Sequence, residues 1–316
     1  MEPVISAQGL TMRFRRCDAL RGIDLQIEPG TVFALLGENG AGKTTLIRIL
    51  TGFQKPTYGT CRVCGINPVR DPLAVRKRVG YVSDAPALYD WMTVAQIGGF
   101  AASFYDGRFL PRYDESIRRY KVAVDQKIGR LSKGQRAKVA LSLALAHDPS
   151  LLILDEPTSG LDPKVRRDFL ESMIDRAATG RTVFLSSHQI SEVERVADTV
   201  AIVHNGKIVL TGKLNDLRQQ ISQVVVDVED PLRALPPLPH PAEVLTEDYE
   251  GRQRQSFVQN LDPAMLALIR ESPGVIDVRH RVATLEEIFV ACTEGHASTA
   301  ITSETDNLAD YAEVGQ

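Results

Sequence analysis

Cysteine is scarce: four residues in 316, at positions 17, 61, 64 and 292, too few and too scattered for a disulfide framework, as suits a reducing compartment. No apolar run approaches the length needed to cross a bilayer, and the start Met1-Glu2-Pro3-Val4 lacks the basic and apolar parts of a signal peptide. The chain is therefore expected to stay in the cytosol. An excess of either charge is missing too, since 37 basic residues against 40 acidic ones leave a net charge of −3. That balance gives no general attraction to nucleic acid or to an acidic membrane surface, so such a partner would be met only through a local patch. What the chain does have is 316 residues, long enough for one large domain and a smaller one, and 43% hydrophobic content, which supports a proper core.

The pair Cys61-Arg62-Val63-Cys64 invites a metal or redox reading. It lies in the strand-like run Gly59 to Gly65, however, where positions three apart face opposite sides, and no second Cys or His pair is near in sequence. A structural role is expected.

Two strand-like stretches, residues 4–15 and 20–27, open the chain and end at the Pro29-Gly30 break, which predicts an antiparallel start. Buried-type strands then follow at Val32 to Leu36, Arg78 to Val82, Leu151 to Leu154, Thr182 to Ser186 and Thr199 to Val203. Helical stretches at Lys43 to Leu50, Arg136 to Ala146 and Lys164 to Ala178 separate them, the order of a parallel sheet wrapped in helices. Residues 85–130 break the rhythm and read as a helical insertion, with a helix opening at Thr93 through a capping box to Gln96. Its aromatics Tyr89, Trp91, Phe100, Phe104 and Tyr105 are expected chiefly to form the core of a small helical layer, with a docking surface as the other reading and room for both among different members.

Composition changes near residue 215, and the proline-rich run Pro231 to Pro241 excludes a helix or a central strand. Strand-like Gln223 to Val228, Ser256 to Gln259 and Val275 to Arg279, helix-like Pro263 to Arg270, and a helix from Leu285 capped by Thr284 and Glu287 predict a small α+β domain. The expected organisation is 1–215, with a helical part at about 85–146, then 216–295, then an acidic disordered tail at 296–316 that carries Glu304, Asp306, Asp310 and Glu313.

The chemistry starts at Gly37-Glu38-Asn39-Gly40-Ala41-Gly42-Lys43-Thr44-Thr45, which satisfies G-x-x-x-x-G-K-[ST] between a strand and a helix. Glycines let backbone N–H groups turn onto a polyphosphate, the helix start adds its dipole, Lys43 supplies a mobile cation and the Thr44 hydroxyl suits Mg²⁺. A nucleoside triphosphate is the expected ligand. A second apolar strand ends in Asp155-Glu156, which predicts a carboxylate near the metal and another positioned to orient or deprotonate water. Leu131-Ser132-Lys133-Gly134-Gln135 precedes a helix, with Ser132 as N-cap and Gln135 as its capping-box partner, and a helix start of this kind is also an anion site.

With these pieces in this order, residues 4 to 215 resemble the ATP-binding cassette (ABC) ATPases. The resemblance implies an α/β P-loop NTPase fold with a mixed sheet, antiparallel opening strands and a helical insertion. It implies ATP and Mg²⁺ as ligands. Phe14 would stack on adenine, Gly37 to Thr45 would hold the phosphates, and Thr44, Asp155 and Asp84 would attend the metal. Lys43, Glu156 as base and a switch histidine, His188, would be catalytic. Ser132, Lys133, Gly134 and Gln135 would contact nucleotide held by a facing cassette, and Ser159-Gly160-Leu161-Asp162 looks like the dimer-contact loop. Two positions depart from the family: Lys133 replaces a usual glycine, and Asp84, after Ser83, stands where glutamine is common.

One copy of each motif implies pairing with a second, identical or related, cassette. The function implied is that of the ATP-hydrolysing subunit of a transporter, peripheral on the inner face of the cell membrane and driving a separate transmembrane permease by ATP-driven dimerisation. Tyr89 and Trp91 sit where the family forms its permease groove, and Ala283 to Phe289 looks like the C-terminal helix of export-type cassettes. The alternative is a soluble ABC ATPase that remodels a ribosomal or nucleic-acid complex; such relatives usually carry two fused cassettes or a long coiled-coil insertion, neither seen here, and the net acidity speaks against nucleic acid. A P-loop kinase or GTPase is excluded by the lack of an Asn-Lys-x-Asp motif and by the unexplained signature.

Overall fold

Strands β1 (Ile5–Phe14) and β2 (Cys17–Ile27) pair antiparallel as expected, and β1 buries Ile5, Ala7 and Leu10. Those positions do not keep a period of two. A register shift between Ala7 and Leu10, where Gly9 has φ 57, adds the residue that turns Leu10 back to the buried face. The computed structural model describes residues 2–231 and 235–293, and these form two units that divide between Thr211 and Gly212.

In the first unit, β4 (Tyr58–Val63) lies on the other side of β1, giving a three-stranded sheet of order β2-β1-β4. The second sheet has six strands. They are β3 (Val32–Leu36), β5 (Val79–Val82), β6 (Leu151–Asp155), β7 (Thr182–Ser187), β8 (Thr199–His204) and β9 (Lys207–Lys213), in the order β5-β6-β7-β3-β8-β9. From β5 to β8 the neighbours are parallel, and every residue of β3, β6 and β7 is buried, as expected for apolar runs covered on both faces. Phe33 and Phe184, opposite each other on β3 and β7, stack with centroids 5.5 Å apart. Asn205 and Gly206, with φ of 47° and 75°, are the whole connection from β8 to β9, a two-residue hairpin turn that makes the sheet mixed.

Helix α1 (Lys43–Leu50) lies between the two sheets, where Leu46, Ile47, Ile49 and Leu50 join Leu10, Leu20, Phe33 and Ile153 in one core. After α2 (Pro72–Arg78) come α3 (Val94–Ala102), α4 (Phe109–Arg119) and α5 (Lys133–Ala146). Both expected capping boxes form, Thr93 with Gln96 at α3 and Ser132 with Gln135 at α5. A second core lies between α5, α6 (Pro163–Ala178) and the sheet; α7 (Ile190–Val196) follows β7.

The expected core role fails for four of the insertion's five aromatics, while Tyr105 stacks on the buried Phe109 with centroids 4.8 Å apart. The insertion's core is built from Val94, Ile97, Phe109, Tyr113, Ile117, Ile128 and Val139, and the Tyr113 hydroxyl donates to Val94 O at 2.7 Å. Phe109, Tyr113 and Ile117 recur every four residues and give α4 its inner face, so Tyr89 (52% exposed), Trp91 (66%), Phe100 (44%) and Phe104 (66%) are left at the surface. There they form a ladder of ring contacts, Tyr89 to Trp91 at 6.1 Å, Tyr89 to Phe100 at 5.8 Å and Phe100 to Phe104 at 5.4 Å.

The cysteine argument also needs correction. β4 ends at Val63, and Cys64 lies in the following turn with φ 50, so the two cysteines are not on opposite faces of one strand. The structural role stands on burial instead: Cys61 is in the core, where burial pushes its thiol up to about 11, and Cys64 Sγ lies 3.4 Å from Ser150 Oγ. Both are free thiols.

The second unit holds α8 (Leu214–Gln220), β10 (Ile221–Val228), β11 (Glu243–Glu250), β12 (Gln253–Gln259), α9 (Pro263–Arg270), β13 (Val275–Val282) and a helix α10 at 285–293. Its sheet is antiparallel throughout, of order β11-β12-β10-β13, and Val224, Val226 and Val228 pack with Leu266 and Ile269 of α9. The α10 capping box is present, with Glu287 N donating to Thr284 Oγ1 at 3.3 Å and Thr284 N to Glu287 Oε2 at 2.9 Å. The acidic tail expected at 296–316 lies outside the described residues, as do residues 232–234 of the proline-rich run.

Candidate functional site

Residues 37–42 connect β3 to α1, and two of the glycines are required for different reasons. A Cβ on Gly37 would stand 2.5 Å from Val203 O of β8, so this residue is small because the loop leaves the sheet against a neighbouring strand. Gly42 has φ 108 and its added Cβ would meet Ala19 O at 2.5 Å, so both conformation and space demand glycine. Having no side chain, Gly42 leaves the first turn of α1 without a side-chain cap, and its N–H groups remain for an anion. Lys43 is 6% exposed; its Nζ donates to Gly37 O at 2.7 Å and to Glu38 O at 3.1 Å.

The acids arrive on β6. Asp155, at its last position, accepts a hydrogen bond from Ser186 Oγ of β7 at 2.7 Å. Glu156 then turns away with φ 50, a left-handed conformation unusual outside glycine. Ser186 holds it there, because the Glu156 N–H donates to Ser186 O at 3.1 Å and to Ser186 Oγ at 3.2 Å. The turned carboxylate sits between two partners from other elements: Oε1 lies 3.1 Å from Lys43 Nζ, and Oε2 lies 2.7 Å from Nδ1 of His188, just past β7. A contact of that length needs a proton, which Nδ1 supplies when Glu156 is ionised.

A cavity of about 310 Å³ collects Glu38, Asn39, Gly40, Gly42, Lys43, Thr44, Thr45, Asp84, Asp155 and Glu156, together with Ala19, which the sequence reading did not name. Gly37 and Ala41 do not line it, and His188 reaches it only through Glu156. Phe14 ends β1 with 48% of its surface exposed. The residues Ser132 to Gln135 open α5 away from this cavity. Lys133 lines a separate hollow of about 260 Å³ with Ser83, Asp84, Arg136, Pro157, Ser159 and Leu161, so Asp84 borders both. Asp162 caps α6, its Oδ1 accepting from Lys164 N and Val165 N.

The donor set suits a hard divalent cation. Thr44, Asp84 and Asp155 bring hydroxyl and carboxylate oxygens to one cavity, while among the described residues no cluster of three or more His, Cys, Asp or Glu side chains could hold a metal alone. Such an ion would need oxygens from a phosphate and water, the usual habit of Mg²⁺ with a nucleotide. Ser186 was missed at the sequence level, although two hydroxyls ending an apolar strand immediately before a histidine were a visible signal.

A family model described as ABC transporter matches residues 20–159. A Nod factor export ATP-binding protein I of Ralstonia nicotianae is 33% identical over 307 residues, covering 92% of this chain and 94% of that one. The daunorubicin resistance ATP-binding protein DrrA3 of Streptomyces coeruleorubidus is 31% identical over 311 residues, covering 92% and 96%. Both similarities therefore extend into the second unit. Among solved structures, an ATP binding subunit of an ABC transporter aligns with a TM-score of 0.63 at 29% identity, covering 68% of this chain and 92% of its own. The cbiO1 protein of Clostridium perfringens, part of the cbiONQ complex, aligns at 0.60 and 28%, covering 67% and 89%.

Proposed function

The chain belongs to the ATP-binding proteins of ABC transporters, which hydrolyse ATP, and on that premise we propose that it energises export through a separate membrane-spanning subunit, closing on ATP with a second cassette. The observation that carries this reading is the chain of contacts Lys43–Glu156–His188 at the phosphate cavity. Lys43 reaches both Glu156 and the cavity, so a terminal phosphate brought there competes with Glu156 for the ammonium. The carboxylate this releases takes a proton from the attacking water, and His188 keeps it oriented. Mg²⁺, when bound, neutralises phosphate charge, with Thr44, Asp155 and Asp84 to hold it.

Pairing is supported by the separation of the two hollows. Ser132 to Gln135 open a helix whose first turn suits an anion, yet they lie off the phosphate cavity of their own chain and serve nucleotide held by the facing one. Export is supported by the two sequence relatives, one named for Nod factor export and one for daunorubicin resistance, both covering more than nine tenths of the chain. The permease contact is the aromatic ladder Tyr89, Trp91, Phe100 and Phe104 with the adjoining groove of about 400 Å³, lined by Phe53, Tyr81, Leu88, Ala101 and Tyr105. Exposed rings in contact are a costly surface unless a partner covers them. Among the described residues no helix is long and apolar enough to cross a membrane; the family's transporter role supports a cassette that works against a membrane-spanning partner at the cytoplasmic face.

Glu156→Gln in the full chain tests the catalytic half: ATP binding is retained, turnover is lost and an ATP-held dimer accumulates. Turnover at the parent rate in that variant overturns the assignment. For the docking half, a membrane subunit should co-purify with the parent chain and be lost with Trp91→Ala while ATPase activity persists.

A further inference from the structure

One buried carboxylate has no place in the machinery described so far. Glu192 lies in the first turn of α7 with 2% of its side chain exposed, and it lines neither the phosphate cavity nor the hollow beside Lys133. A carboxylate so enclosed persists only where its oxygens are partnered. Its Oε2 accepts from Thr158 Oγ1 at 2.5 Å and from Ser187 Oγ at 3.3 Å, and its Oε1 lies 3.2 Å from Arg166 Nε of α6, an ion pair rather than an aligned hydrogen bond.

The positions of those partners give the arrangement its meaning. Thr158 is two residues beyond Glu156 and is itself 2% exposed; Ser187 directly precedes His188 and also accepts the Gln189 N–H at 3.0 Å. Glu156 and His188 leave different strands, and their 2.7 Å contact depends on two turns keeping their relative place. Glu192 bonds to both turns. Through Arg166 it also holds α6, the helix that Asp162 caps at the end of the Ser159 to Asp162 loop.

We propose that Glu192 is a positioning residue of the ATPase centre, a single anion that keeps the Glu156 turn and the His188 turn in register. It touches neither nucleotide nor water. It acts through Thr158 and Ser187, and the proposal rests on the ATPase reading of Glu156. Misplacing a catalytic group by an ångström costs on the order of 100-fold in rate without weakening substrate binding in proportion.

The test uses the full chain and the variants Thr158→Val, Thr158→Ser, Glu192→Gln and Glu192→Gln/Thr158→Val. Readouts are kcat and KM for ATP, affinity for a non-hydrolysable ATP analogue, and thermal melting. Thr158→Val, which keeps the shape and deletes the hydroxyl, should lower kcat about 10- to 100-fold with KM and analogue affinity within about twofold, while Thr158→Ser restores the rate. Glu192→Gln should fall in the same range, and the double variant should be no slower than the worse single one.

Parent-like kcat in Thr158→Val, or analogue binding that weakens in step with kcat, overturns the proposal. Glu156→Gln separates the two claims. If it still turns over ATP, the ATPase assignment fails; if it is inert while Thr158→Val is fully active, only the role of Glu192 is lost.

Discussion

Lys43 Nζ stands 3.1 Å from Glu156 Oε1, with 6% and 14% of the two side chains exposed, so the candidate phosphate cation and the candidate base share one enclosed ion pair. The pair is not symmetrical. Lys43 Nζ also donates to Gly37 O and Glu38 O, whereas the Glu156 carboxylate has, among the described residues, only His188 besides. Removing the cation should therefore destabilise the nucleotide-free protein more than removing the anion. Lys43→Met is expected to cost about 1–3 kcal/mol, the usual range for an enclosed polar group left without a partner, and Glu156→Gln clearly less. Thermal unfolding without nucleotide measures both, and equal losses would contradict the asymmetry.

Lys133 places a cation in the first turn of α5, against the dipole, a cost of about 0.3–1 kcal/mol that a facing phosphate would reverse. Its Nζ rests over Gly160, 2.7 Å from where a Cβ would stand on that glycine, so it also spans to the expected dimer-contact loop. Lys133→Gly should make dimerisation depend less steeply on ATP. Light scattering against ATP concentration checks this, and an unchanged curve would remove Lys133 from the closing mechanism.

Asp84 lines the phosphate cavity with Asp155 and Thr44. If it attends the metal, Asp84→Asn keeps an oxygen but loses the charge, and half-maximal turnover should require more Mg²⁺. Titrating Mg²⁺ at fixed ATP reads the shift. No shift would leave Asp84 with a role in the Lys133 hollow alone.

The second unit should loosen in acid. Arg281 forms paired hydrogen bonds to Glu287, the Oε2 contact at 2.9 Å, and Thr284 adds its N–H and hydroxyl at 2.9 and 3.0 Å. Arg281 first, then Thr284, hold the Glu287 carboxyl well below its ordinary 4.5, at about 2. Because the folded value is the lower one, the stabilisation is complete above pH 4.5 and is lost as pH falls from there toward 2. Amide exchange at 285–293 should rise across that window, and Thr284→Ala should cost about 1 kcal/mol at neutral pH through the lost cap. Protection that stays constant down to pH 2 would argue against the cap.

Much of this was readable from the sequence where one residue's own chemistry decides its place. Apolar runs became β3 and β6, a shorter one, Val183 to Leu185, became the middle of β7, and the capping boxes at Thr93, Ser132 and Thr284 all closed, because period and capping are local properties. Strand β11 was missed for the opposite reason. Glu243 to Glu250 is acidic and almost wholly exposed, with Thr246 its one buried residue, and it is a strand only because β12 offers it an edge. The insertion's aromatics are hard to place because ring content alone does not say which face a helix buries; the four-residue spacing of Phe109, Tyr113 and Ile117 does. Glu192 was invisible because Thr158 lies 34 residues away in sequence and burial, not spacing, brings them together.

Asp84 stands in the partition between the phosphate cavity and the hollow beside Lys133. An acid that lines both hollows is felt electrostatically from either one. A cation held against it on the nucleotide side would weaken the negative potential on the other, where Lys133 lines the same hollow, so one ligand would be felt by the neighbouring lysine through the field alone.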